Sequence, residues 1–184
     1  IREGVFSTPL GDFPVDAVFA SSLCECVTVA SAEFHTREHC LEIHLPFLEA
    51  AVGVASIVPI LLGKGPSPMG VLLAKQLAEK AGKDDLLIAS TDLSHRLSEP
   101  QAHEMDGRTI ETVMSQDWQK LARGIAARSC SMCGAAAVVV AMNYALFRGA
   151  DAWLLLDYRT SAAASGDRTS VVGYASISME RRRQ

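Results

Sequence analysis

Four short segments of the chain carry residue types that can do chemistry. The first is Arg37-Glu38-His39-Cys40-Leu41-Glu42-Ile43-His44. A carboxylate beside an imidazole at a helix start is unusual for a purely structural turn. Glu38 in a first turn is favoured by the helix dipole. Glu42 lies three residues beyond His39, so on a helix the two share a side and the carboxylate can orient the ring. His39 and His44 are five apart, which misaligns them on a helix and excludes an H-E-x-x-H zinc motif. A capped helix with a satisfied histidine accounts for the same residues without chemistry.

The second segment is Ser90-Thr91-Asp92-Leu93-Ser94-His95, directly after an apolar run. Ligands of open α/β sheets gather beyond the carboxyl ends of strands. Asp92 and His95 at such a place can act as base and orienter, or as metal ligands. An Asp-initiated turn with a surface histidine is the plain alternative. The third is Cys130-Ser131-Met132-Cys133-Gly134. One C-x-x-C is weak evidence of zinc or redox chemistry, and Cys24-Glu25-Cys26 has the wrong spacing for a second pair. A single Cys133 at a helix start reads equally well, because that terminus stabilises a thiolate able to ligate a metal. The fourth, Ser165-Gly166-Asp167-Arg168-Thr169, is explained by a hairpin loop. No G-x-S-x-G, P-loop or G-x-G-x-x-G occurs.

The elements that must position these residues alternate. Helices are expected at 14–23, 38–52, 69–81, 99–115, 117–127 and 133–147, and strands at 27–29, 56–62, 85–90, 152–158 and 171–177. Over 38–52 the apolar residues Leu41, Leu45, Leu48 and Val52 recur at helical spacing. Pro46 lies inside that run and should kink it. Gly82 is placed as a C-cap. The last two strands pair across 161–170, which predicts a mixed rather than purely parallel sheet. The alternation predicts a three-layer αβα fold.

Composition bounds the rest. At 184 residues the chain reads as one domain over 1–184. Hydrophobic residues are 49 % and charged residues 21 %, which excludes a disordered chain. The net charge of −4 excludes a general nucleic-acid binder, since only Arg181-Arg182-Arg183 forms a basic run. No stretch reaches the ~18–20 apolar residues of a membrane span. Five cysteines, an odd number, argue against a disulfide framework and for a reducing, cytoplasmic setting.

Taken in order, the segments resemble the Memo family, also known as protein B of the AmmeMemoRadiSam system. The resemblance rests on TPLG (8–11) with Val15-Asp16, EHCLEIHLPFL (38–48) and SIVPILLG (56–63). It continues through STDLSH (90–95), MCG (132–134), YRTSAAASGD (158–167) and VVGYA (171–175). It implies a fold akin to class III extradiol dioxygenases and a pocket that binds iron or copper. In the family the ligands are two histidines near the N-terminus and the cysteine of the CG element, with the S-x-D-x-SH histidine beside them. Cys133 and His95 match the last two positions, so they are the expected metal ligands. His39, Asp92 and His95 are the expected catalytic residues, with Glu38 and Glu42 as further pocket candidates. Cys130 has no counterpart. The PHAGY-like and SHH-like segments that carry the family's first two histidines are absent, with His35 the sole nearby histidine, so the chain is expected to be N-terminally truncated. Cys40, His44 and Arg96 stand where serine, glutamine and an aromatic are common.

The function expected from these residues is metal binding with redox or oxygenase-like chemistry. A soft thiolate with imidazoles suits Fe(II) or Cu(I) better than Mg²⁺. The alternative is a non-enzymatic module that binds a phosphopeptide or protein through the same pocket, with Arg37 and Arg96 reading the anion. A serine hydrolase using Ser90 or Ser94 with His95 and Asp92 is a third reading, but triads assemble across a fold rather than within six residues. The expected partners are a small molecule or phosphopeptide, and the system's radical-SAM and AMMECR1-like components.

Overall fold

The structure is a computed structural model that describes residues 1–23, 32–63 and 65–182. The chain divides into two compact units, Ile1–Leu62 and Gly63–Gln184. The strand expected at 27–29 and the pair Cys24 and Cys26 lie outside the described residues.

In the first unit, β1 (Val5–Thr8) and β2 (Gly11–Pro14) form an antiparallel hairpin. Its turn is closed by Thr8 Oγ1, which accepts the Leu10 and Gly11 N–H groups at 3.1 Å each. Phe13 is fully buried beneath it. Asp16 caps α1 (Ala17–Ser22) by accepting Phe19 N–H at 2.8 Å. Helix α2 (Ala32–Thr36) follows. The single helix expected over 38–52 is instead a 3₁₀ turn at Glu42–His44 leading into α3 (Leu45–Val52). Pro46 explains the difference. It occupies the first turn of α3, where its missing N–H costs nothing, so it starts a helix rather than kinking one. Gly53 then ends the helix at φ 77°, a conformation that side chains disfavour.

In the second unit, α4 (Pro68–Lys80) starts at the Ser67 cap. It ends at an extended Ala81 rather than on a glycine cap. The Arg148 guanidinium covers its open carbonyls, donating to Ala78 O, Ala81 O and Gly82 O at 3.0–3.2 Å. Strand β3 (His95–Leu97) precedes α5 (Glu99–Met114), which opens on a Ser98/Gln101 capping box. Asp117 caps α6 (Trp118–Ala126), accepting Lys120 N–H at 2.8 Å. Helix α7 (Ala135–Phe147) is apolar on most sides because it packs against both α4 and α6. Strand β4 (Ala152–Thr160), the one-turn helix α8 (Ala162–Ser165) and β5 (Val171–Glu180) complete the unit.

The strands β4 and β5 pair across 161–170 as expected, and the sheet order is β3-β5-β4, antiparallel throughout. Among the described residues the one parallel pairing is the bridge between Val15 and Ile57. The molecule is thus a mixed α/β protein with antiparallel sheets. Val113, Leu121, Val139, Met142 and Trp153 enclose the main core of this unit. None of the described helices is long and apolar enough to cross a membrane.

Among the described residues two expected strands form no ladder: segment 56–62 contributes only the Ile57 bridge, and 85–90 pairs with no strand. Leu86 is 76 % exposed there. An apolar run is a strand only when a neighbour accepts its backbone groups.

Candidate functional site

The site grows from the start of α7. Gly134 is the N-cap residue of that helix and Cys133 immediately precedes it. A helix start offers unpaired N–H groups and partial positive charge, both of which favour a thiolate. Gly134 is required by close approach: a Cβ there would lie 2.5 Å from Ser90 O and 2.8 Å from Thr91 Cβ. The 90–92 backbone therefore lies directly on the helix start.

Two reciprocal bonds lock that approach. Cys133 N–H donates to Asp92 O at 3.1 Å, and Asp92 N–H points at Cys133 Sγ at 3.2 Å. Thr91 Oγ1 accepts Gly134 N–H at 2.8 Å, donates to Asp92 O at 2.8 Å, and lies 3.7 Å from Cys133 Sγ. The Cys133 sulfur is thus held in place by one backbone N–H.

His95 enters from β3. It pairs with Val172 while Leu97 pairs with Val171, so β3 carries one extra residue, Arg96. Arg96 takes φ 58°, and this bulge sets the direction of the His95 side chain. His95 Nε2 lies 3.3 Å from Asp92 Oδ2. The two side chains are 41 % and 43 % exposed, so ligands can reach them. A carboxylate oxygen of Asp92, a ring nitrogen of His95 and Cys133 Sγ all lie within 4.8 Å of one another. Sulfur, imidazole and carboxylate together form a donor set for a transition metal rather than for Mg²⁺ or Ca²⁺.

The surroundings add residues that sequence reasoning missed. The Tyr174 phenol on β5 has its pKa raised, by burial first and by the negative charge of Asp92 second. Asp106, in the middle of α5, is fully buried. It accepts Ser94 N–H at 2.9 Å and Tyr158 O–H at 2.8 Å. Burial and that bond push the Tyr158 pKa up. The Gly173 in VVGYA was the available signal, since a Cβ there would run into the Asp106 carboxylate.

Asp92, His95 and Cys133 are thus brought together. Glu38, His39 and Glu42 belong to the other unit, where all three are exposed. Glu38 and His39 lie in the connection between α2 and the 3₁₀ turn rather than on a helix, and among the described residues no side-chain hydrogen bond joins His39 to Glu42. His35 is buried edge-on against Phe6, and that burial lowers its pKa. Cys130 is a core residue: it packs under Gly124, and its thiol reaches Thr112 Oγ1 at 3.7 Å. Cys130 and Cys133 are free thiols. Ser94 is 1 % exposed, which removes it as an accessible nucleophile. The Asp167 loop is an Asx turn, with Oδ1 accepting both Thr169 N–H at 2.8 Å and Thr169 O–H at 2.7 Å.

Fold and site define a mixed α/β protein with a candidate thiolate–imidazole–carboxylate metal centre. The model of the Memo-like protein family matches residues 1–178, and the chain belongs to that family. It is 38 % identical over 180 residues to a MEMO1 family protein of Methanobrevibacter smithii, covering 95 % of this chain and 64 % of that one. It is 35 % identical to a MEMO1 family protein of Archaeoglobus fulgidus (92 % and 66 % covered) and 34 % identical to one of Thermotoga petrophila (95 % and 63 % covered). The chain spans just under two thirds of the length of these relatives.

Proposed function

We propose that the protein binds iron or copper through Cys133, His95 and Asp92, and serves redox or oxygenase-like chemistry on a small organic substrate. One observation carries this reading: three different donor types converge within 4.8 Å. The thiolate favours a soft or borderline ion. When bound, such an ion supplies one-electron redox chemistry and Lewis acidity. The residues of the chain do the rest. Cys133 presents its sulfur at a helix start, Asp92 steadies the His95 ring, and the Tyr174 phenol stands beside Asp92. The architecture proposed for the whole protein is a three-layer αβα fold of the extradiol dioxygenase kind. Ring cleavage does not follow from that fold alone.

Anaerobic equilibrium dialysis against Fe(II), and separately Cu(I), tests the reading. The chain is expected to retain one of these ions, and a variant with alanine at Asp92, His95 and Cys133 to lose it. Equal retention by both proteins contradicts the proposal. A phosphotyrosine peptide that binds the metal-stripped chain and the triple variant equally well would favour the peptide-binding alternative.

A further inference from the structure

Asp106 is an unusual residue for the middle of a packed helix. A buried carboxylate is costly unless its oxygens are engaged. Here both are. Oδ1 accepts Ser94 N–H at 2.9 Å and Oδ2 accepts Tyr158 O–H at 2.8 Å. Ser94 stands between Asp92 and His95 in the chain. The same turn is also held by β5: Leu93 N–H donates to Gly173 O and Gly173 N–H to Ser94 O, both at 2.9 Å. Gly173 also lacks the Cβ that would displace the Asp106 carboxylate. The turn is therefore held by backbone bonds to β5 and by the Asp106 carboxylate of α5, while Cys133 holds Asp92 from the start of α7.

From this geometry we infer that Asp106 is a positioning residue for the metal centre: through the Ser94 N–H, and braced by Tyr158, it fixes the 92–95 turn so that Asp92 and His95 face Cys133. The inference rests on the metal-binding reading above. Asp106 touches none of the three donors, and so acts through the backbone between two of them. Outer residues that orient ligands are typically worth about 10–100-fold in metal affinity.

The test compares Asp106→Leu, Asp106→Asn and Tyr158→Phe in the full chain. Asp106→Leu keeps the branched shape, with larger methyl ends, and removes the acceptor. Asp106→Asn keeps an oxygen for Ser94 N–H. Asp106→Leu is expected to weaken Fe(II) or Cu(I) binding about 10–100-fold while far-UV circular dichroism is unchanged, and Asp106→Asn to restore most of that loss. In the metal-free protein, hydrogen exchange at the Ser94 amide should speed up about tenfold or more in Asp106→Leu and much less in Asp106→Asn. A folded Asp106→Leu protein with wild-type affinity and wild-type exchange at Ser94 overturns the inference. If Asp106→Leu does not fold, Tyr158→Phe decides, with affinity about three- to tenfold weaker expected and unchanged affinity contradicting. A wild-type chain that binds neither metal refutes the metal-binding reading instead, and the exchange rates then judge the role of Asp106 by themselves.

Discussion

Replacing Cys133 with serine should weaken iron or copper binding by more than about 100-fold, beyond the range set by outer residues. The cause is the donor itself. Serine offers a hard, protonated hydroxyl where cysteine offers a soft sulfur held by the Asp92 N–H at 3.2 Å. The hydroxyl can still accept that N–H, so the helix start should keep its place and the loss should be confined to the metal. Titration of Fe(II) and Cu(I) into both proteins, with circular dichroism of each, checks this. Equal affinity in the serine variant would remove Cys133 from the ligand set.

Gly134→Ala should damage fold and site together. The added methyl would meet Ser90 O at 2.5 Å and Thr91 Cβ at 2.8 Å. Neither is the end of a flexible side chain, so the 90–92 backbone must move away from α7. Overpacking of this kind costs about 1–3 kcal/mol. The same movement breaks the reciprocal Asp92–Cys133 bonds, so metal affinity should fall as well. Urea unfolding reads the first effect and metal titration the second. A variant as stable as the parent, with its metal affinity, would show that the loop does not press on the helix start.

Some of this was legible in the residues. The helices expected at 69–81, 99–115 and 117–127 match α4, α5 and α6, and the structure shows their starts capped by Ser67, by Ser98 with Gln101, and by Asp117. The β4–β5 hairpin follows from two apolar runs around a turn-forming loop. Asp92, His95 and Cys133 stood out by type, and the structure places them together. Other features depend on partners distant in the chain. The apolar run 85–90 looks like a buried strand, yet Leu86 is largely exposed, because no alternation pattern names the neighbour a strand needs. The resemblance already sets Cys133 apart from Cys130 in the C-x-x-C, and burial agrees, since Cys130 is a core thiol and Cys133 an exposed one. Asp106 reads as one more polar residue on a helix until its two bonds are seen. The continuous hydrophobicity around Pro46 predicts a kink, whereas the backbone uses it as a helix start.

The central claim is that Cys133 and His95 share one metal ion. X-ray absorption at the metal edge of the Fe(II)- or Cu(I)-loaded chain measures this directly. The account predicts a metal–sulfur scattering shell together with the outer-shell signature of imidazole, the sulfur shell vanishing in Cys133→Ser and the imidazole signature in His95→Ala. A metal surrounded only by oxygen and nitrogen scatterers in the unaltered chain would contradict it.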